Sequence, residues 1–223
     1  MLYPVRTGVW PQKRVGMITN RALRLREPVH LALRSVNCDG RRGLALLAAC
    51  VLLLLPTLAG EGGQTLLRYE RGALAHGEWW RLLSAHLVHL DLRHAVLNAA
   101  GLALVWALFA RNYSPKAWLG IVLGGMAAID AGLWLGDSTV QWYVGSSGVL
   151  HAAMAAGALA HIRTGERDGW VLAALLAAKL LYEQSLGPLP LSGNDPVVVD
   201  AHLYGVLGGT AVAAFLTPRR VPL

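Results

Sequence analysis

Four side chains in this sequence have the types that acyl transfer through a serine requires: His94, Asn98, Ser147 and His202. Ser147 stands in the run Trp142-Tyr143-Val144-Gly145-Ser146-Ser147-Gly148-Val149-Leu150-His151, where a polar aromatic stretch passes into small apolar residues. A serine hydroxyl attacks a carbonyl when a neighbouring base removes its proton, and histidine is the side chain whose ordinary pKa suits that exchange. The oxyanion that develops then needs N–H donors, which a second imidazole, an asparagine amide and the backbone can supply. None of these residues is diagnostic alone. A Gly-x-Ser-Gly run is ordinarily a turn or a helix cap, and a lone histidine in an apolar segment is ordinarily a hydrogen-bonded packing group. The elements that carry these residues decide between the readings.

The 223-residue chain is 55% hydrophobic and 15% charged. Its apolar residues come in long blocks instead of amphipathic stripes, which excludes an ordinary soluble domain and indicates an all-α, polytopic membrane protein. Six blocks are expected to span: about 44–59, 92–110, 117–136, 147–162, 170–186 and 197–216. Each is close to the ~20 residues a helical crossing needs, although two are short. The net charge of +7 follows topology. Fifteen of the twenty Lys and Arg residues fall in the segment before the first span, between spans two and three, between spans four and five, and after span six. The positive-inside rule therefore places both termini in the cytoplasm and makes nucleic-acid binding a poor account of the charge. Cys38 and Cys50 would lie on the reducing side or in lipid, so no disulfide is expected.

Residues 1–42 are basic and lack a sustained apolar period, which predicts a tail that is disordered or lies on the membrane surface. The membrane domain is expected over 43–218, with 219–223 as a short cytoplasmic end. Residues 60–91 form the longest external connection, and their half-apolar composition predicts an interfacial path anchored by Trp79 and Trp80, with Arg81 fixing it through its fork of donors. Span two opens with His86, His89, Asp91, His94 and Asn98; the last two, four residues apart, share one helical face. Span four is rich in glycine and alanine from Gly148 onward and reads as the central helix, with Ser147 ~8 Å below the external surface on the floor of a wet pocket. In span six, Gly205 and Gly209 form a Gly-x-x-x-Gly face suited to packing on span four, with His202 one turn earlier.

Spans two, four and six run in the same direction, and His94, Asn98, Ser147 and His202 all fall within their first few residues. One depth on one side of the membrane thus holds a hydroxyl, a base and donors, the parts of acyl transfer. Asp200 points elsewhere on the helix of His202, so a Ser-His dyad without an orienting acid is expected. Asp130, Lys179 and Glu183 read as structural, with Lys179 and Glu183 pairing four residues apart. The histidines lack a His-Glu-x-x-His element or a second ligand cluster, so neither a metal nor any other cofactor is expected.

Over roughly Glu78 to Thr217 the sequence resembles the rhomboid family of intramembrane serine proteases. The matching elements are Trp80-Arg81, His89 with His94 and Asn98, Gly145-Ser146-Ser147-Gly148, and Ala201-His202 followed by Gly205 and Gly209. The resemblance implies a six-helix rhomboid fold, a Ser147/His202 dyad and an oxyanion site including His94 and Asn98. Where the usual pattern has a tyrosine four residues after the serine, this chain has His151, which could stack on His202. That departure, with Gly-Ser-Ser-Gly-Val-Leu-His, is similar to the rhombosortase subfamily. It implies a multi-pass protein of the bacterial inner membrane whose active site opens to the periplasm. Its substrates would be membrane-anchored proteins with a C-terminal Gly-Gly, hydrophobic-helix and basic-cluster sorting signal, with hydrolysis or transfer of the acyl group. The rival readings are an inactive rhomboid-like chaperone or adaptor, and a transporter, for which the chain lacks a convincing repeat.

Overall fold

The structure is a computed structural model that describes residues 31–190 and 196–220. The expected basic tail lies outside the described residues over 1–30, as does the end of the chain over 221–223. The longer helices are α1 (Gly40–Leu54), α5 (Leu92–Phe109), α6 (Pro115–Leu135), α7 (Ser147–Thr164), α8 (Asp168–Leu186) and α9 (Asp200–Ala214). Between α1 and α5 a 3-10 turn (Leu55–Ala59) leads into three short helices, α2 (Gly60–Leu67), α3 (Arg71–Ala75) and α4 (Arg81–Ser84).

Local chemistry sets several ends. Asp91 caps α5, its carboxylate accepting from the His94 backbone N–H at 2.7 Å. Ser114 caps α6 ahead of Pro115, whose missing N–H costs nothing in a first turn. Gly165, at φ 85°, closes α7 in the left-handed conformation. Arginines on neighbouring segments take up orphan carbonyls at two C-termini: Arg71 donates to Trp134 O at 3.0 Å, and Arg163 to Ala213 O at 2.9 Å.

Helix α7 is central, packing against α5, α6, α8 and α9. Its small residues let α9 approach backbone to backbone. A Cβ on Gly205 would lie 2.1 Å from Gly148 O, and one on Gly209 would lie 2.3 Å from Ala152 O. Helix α9 meets α6 in the same way, a Cβ on Gly208 falling 2.6 Å from Gly124 O. Helix α8 rests mainly on α7 and only lightly on α9.

Large apolar side chains such as Leu47, Val51, Leu123, Leu175 and Leu181 face outward, as an integral membrane protein requires. Among the described residues three stretches are long and apolar enough to cross a membrane: Gly40–Leu67, Leu92–Phe109 and Pro115–Leu135. Helix α8 carries Asp168, Lys179 and Glu183, which lower its apolar character, and α9, with 15 residues, is shorter than the ~20 of a full crossing.

Two differences from the sequence reading concern connections. Residues 60–91 are a run of short helices joined to the site by an antiparallel pair of two-residue strands, β1 (Tyr69–Glu70) with β2 (Trp142–Tyr143). Tyr69 pairs with Tyr143, and both rings enter one core with Leu74, Ala85, Ile129 and Val149. Residues 31–42 are not a free tail: residues 31–35 are helical, and the buried Asn37 donates to Ala107 O at 2.7 Å. Arg111 reaches both Asn37 and Asp39, tying this segment to the end of α5.

Candidate active site

Ser147 is the first residue of α7, and the turn before it is shaped by Gly145 at φ 119°, a conformation that side chains rarely tolerate. Three contacts hold that turn. Gly145 N–H donates to Ala85 O at 2.9 Å, and the Tyr143 hydroxyl donates to Gly145 O at 2.6 Å. The His94 ring lies against Gly145, so that a Cβ there would sit 3.1 Å from His94 Cε1. The start of α7 therefore presents backbone N–H groups that have no acceptor within the helix, from a rigid base, the arrangement that favours a developing negative charge.

His202 is in the first turn of α9, 4% exposed, and its Nε2 is 2.9 Å from Ser147 Oγ. The glycine contact between the two helices makes this possible, because Gly148 and Ala201, the residues next to Ser147 and His202, already touch through backbone.

On its other side His202 has a partner that the sequence reading excluded. Its Nδ1 is 2.9 Å from Glu183 Oε2, while Glu183 Oε1 binds Lys179 Nζ at 2.6 Å. The expectation that no acid orients His202 is thus corrected. The Lys179 pairing accounted for Glu183 when only its own helix was considered, and one carboxylate has two oxygens for two partners. The available signal was depth: Glu183 lies one turn before the end of α8, and His202 one turn into α9.

His151 stacks on the face of His202, with ring centroids 4.2 Å apart and planes at 17°. Its Nδ1–H donates to Ser147 O at 2.7 Å, one turn back along α7. The three groups His151, Glu183 and His202 lie close enough to invite a metal reading. Both Glu183 oxygens are already taken, and two stacked imidazoles cannot aim their in-plane lone pairs at one ion.

Asn98 is buried and donates to His94 O at 3.0 Å, one turn back on α5. Its amide has a second N–H for another acceptor. The structure thus joins Ser147 directly to His202, and sets His94, with Asn98 behind it, against the turn that presents Ser147. His89, which the sequence reading noted without giving it a place in the site, stands edge-on to His94 at 5.2 Å, and its Nε2 is 3.2 Å from Ser146 Oγ. Burial first, and the neighbouring His94 second, hold the His89 imidazole down at a pKa of about 4, so it is neutral at pH 7.

Trp80 is half exposed, and its Nε1–H points to Leu66 O at 3.4 Å. The buried Arg81 donates to Thr65 O at 2.7 Å and Arg68 O at 2.8 Å and pairs with Glu78 at 2.7 Å. The fork thus gathers the C-terminal carbonyls of α2 and holds that connection over β1. Of the remaining polar groups, Asp130 pairs with the fully buried His86 at 3.3 Å.

The sequence model of the Rhomboid domain family matches residues 76–219, more than half of the chain. Two Bacillus subtilis (strain 168) proteins are similar. One, named "Putative rhomboid protease YdcA", is 23% identical over 145 residues, 65% of this chain and 70% of that protein. The other, named "Rhomboid protease GluP", is 26% identical over 184 residues, 77% of this chain but 34% of GluP, so the match spans about a third of that protein's length.

Proposed function

The chain belongs to the rhomboid family of intramembrane serine proteases, and on that premise we propose that Ser147 is its nucleophile and His202 its general base. The observation that carries this reading is the 2.9 Å contact between His202 Nε2 and Ser147 Oγ in a nearly buried setting. In the acylation step Nε2 takes the hydroxyl proton as Oγ bonds to the scissile carbonyl carbon, and the carbonyl becomes an oxyanion. When that intermediate collapses, the C–N bond breaks and the proton passes from Nε2 to the leaving amine. The Ser147 backbone N–H, His94 and Asn98 are the proposed oxyanion donors, a role in which one donor is typically worth ~3 kcal/mol. Water, or another nucleophile giving up a proton to His202, then releases the acyl group.

In this reading six helices cross the bilayer with both termini cytoplasmic, in a bacterial inner membrane, and the site opens to the periplasmic side. The substrates are membrane-anchored proteins, and the subfamily reading is rhombosortase, with a C-terminal Gly-Gly sorting signal. Its support is the His151 stack on His202, where a tyrosine is usual for the wider family. The same constellation favours catalysis over an adaptor role, since an adaptor has no use for a serine held 2.9 Å from a buried imidazole.

The test is mass spectrometry of a reporter ending in Gly-Gly, a hydrophobic helix and a basic cluster, incubated with the purified protein in lipid. A new C-terminus at the signal with wild type and none with Ser147→Ala is the expected result. Full cleavage by a folded Ser147→Ala would sink the nucleophile assignment, and cleavage of other membrane anchors but never of the Gly-Gly reporter would sink the subfamily reading.

A further inference from the structure

We infer that Glu183 completes a Ser147–His202–Glu183 triad and that Lys179 sets which way its carboxylate faces. This deepens the proposed function and rests on Ser147 as nucleophile and His202 as base.

A carboxylate on a membrane-facing helix is costly unless it is paired, and Glu183 is 3% exposed. If Glu183 served only to neutralise Lys179, an i,i+4 contact along α8 would be enough. Instead the side chain divides its oxygens: Oε1 faces Lys179 Nζ at 2.6 Å, and Oε2 crosses to a different helix to meet His202 Nδ1 at 2.9 Å. A carboxylate oxygen accepts, so Nδ1 must carry a proton. The neutral imidazole then keeps its lone pair on Nε2, the nitrogen 2.9 Å from Ser147 Oγ. That tautomer is the one a general base needs. When Nε2 takes the serine proton, the resulting imidazolium lies beside an anion already in place, without reorganisation of solvent.

The groups facing His202 are Ser147 and His151 from α7 and Glu183, backed by Lys179, from α8. His151 covers a ring face and fixes the plane; Glu183 fixes the proton. Helix α8 touches α9 only lightly, so the Glu183 bridge is a principal polar link between them. Glu183 is therefore a positioning residue acting through His202.

Lys179 makes the inference testable in a way that a structural salt bridge would not. In Glu183→Gln the shape is kept, but Lys179 donates to the amide oxygen and so turns the NH2 group toward His202. Nδ1 must then accept, the ring proton moves to Nε2, and the base is lost. In the double variant Lys179→Met/Glu183→Gln the amide is free to flip, its oxygen accepts from Nδ1–H, and the productive tautomer returns.

The probe is a rhodamine-tagged fluorophosphonate, which labels an activated serine: the Oγ–P bond forms, fluoride leaves, and the serine proton goes to His202. Second-order labelling rates are measured on the purified full chain in detergent, with thermal unfolding as a check on folding. Glu183→Gln should be slowed by ~10³-fold or more, the scale of a wrong-tautomer defect in such triads. Adding Lys179→Met should recover at least ~10-fold of that loss, as expected when the blocking hydrogen bond is removed. Labelling of Glu183→Gln within about threefold of wild type overturns the triad while leaving Ser147 and His202 standing. So does a loss that Lys179→Met does not relieve, whether or not the single variant is folded. Ser147→Ala labelled at the wild-type rate overturns the nucleophile assignment and the triad with it.

Discussion

A methyl group at Gly205 should disable the site without touching any of its side chains. In Gly205→Ala the new Cβ would lie 2.1 Å from Gly148 O, 2.8 Å from its carbonyl carbon and 3.3 Å from its Cα. An ordinary C···O contact is about 3.3 Å, so the helices must part by about 1.2 Å there. The obstructing atoms are backbone and cannot turn aside. Ser147 is the residue before Gly148, and His202 is three residues before Gly205, so the strain falls on the pair between them. Added to the resting 2.9 Å, a shift of that size leaves Nε2 and Oγ ~4 Å apart, beyond hydrogen-bond range. Misplacement by ~1 Å costs on the order of 10²-fold in rate, and overpacking of this kind costs ~1–3 kcal/mol in stability. The assay is the fluorophosphonate labelling rate together with the thermal midpoint in detergent. Gly62→Ala is the control, because a Cβ there meets nothing within 4 Å, and Ala is the better helix former. A Gly205→Ala protein that labels at the wild-type rate with an unchanged midpoint would refute the claim that this backbone contact sets the serine-to-histidine distance.

Two further outcomes follow from groups beside the site. His89 has its pKa held at about 4 in the folded protein against ~6.5 when unfolded. As pH falls through that window the unfolded chain takes up the proton first, so this group's effect is to lower stability from about pH 6.5 down towards pH 4 and to leave it flat above. The thermal midpoint measured across that range should fall, and His89→Gln should flatten the slope; an unchanged slope would reject the assignment. Arg81→Lys cannot keep the fork that serves Thr65 O, Arg68 O and Glu78 together, so the connection between α1 and α5 should loosen by ~1–3 kcal/mol. Faster limited proteolysis between residues 60 and 91, relative to wild type, is the measurement; equal rates would count against a holding role for Arg81.

What could be read in advance was whatever repeats along one element. The apolar blocks around 92–110 and 117–136 announce helices that the structure places at Leu92–Phe109 and Pro115–Leu135, with caps at Asp91 and Ser114 that the residue types already favour. The approach of α9 to α7 follows from Gly205 and Gly209 standing four apart opposite a run of small residues. From there the meeting of Ser147 with His202 follows from helix direction and depth. Contacts that join elements without any periodic signal were hidden. The pairing of Tyr69–Glu70 with Trp142–Tyr143 is two residues long, too short to leave an alternation. Asn37 reaches Ala107 across some seventy positions. Glu183 was hidden differently: Lys179, four residues away, is a complete explanation for it in one dimension, and only the third dimension shows the second oxygen at work.

The division of this constellation among helices also dictates when it can exist. A ribosome delivers α7, with Ser147 and His151, before α8, with Lys179 and Glu183, and α9 last. The lysine and glutamate lie on one helix and pair with each other, which in the proposed six-span arrangement would ease the insertion of a segment whose charges would otherwise resist it. Until α9 docks, Ser147 lacks the His202 imidazole and Glu183 has only Lys179. In the proposed mechanism the serine therefore lacks its base until the glycine face of α9 closes on α7, which delays an activity that would endanger neighbouring membrane anchors.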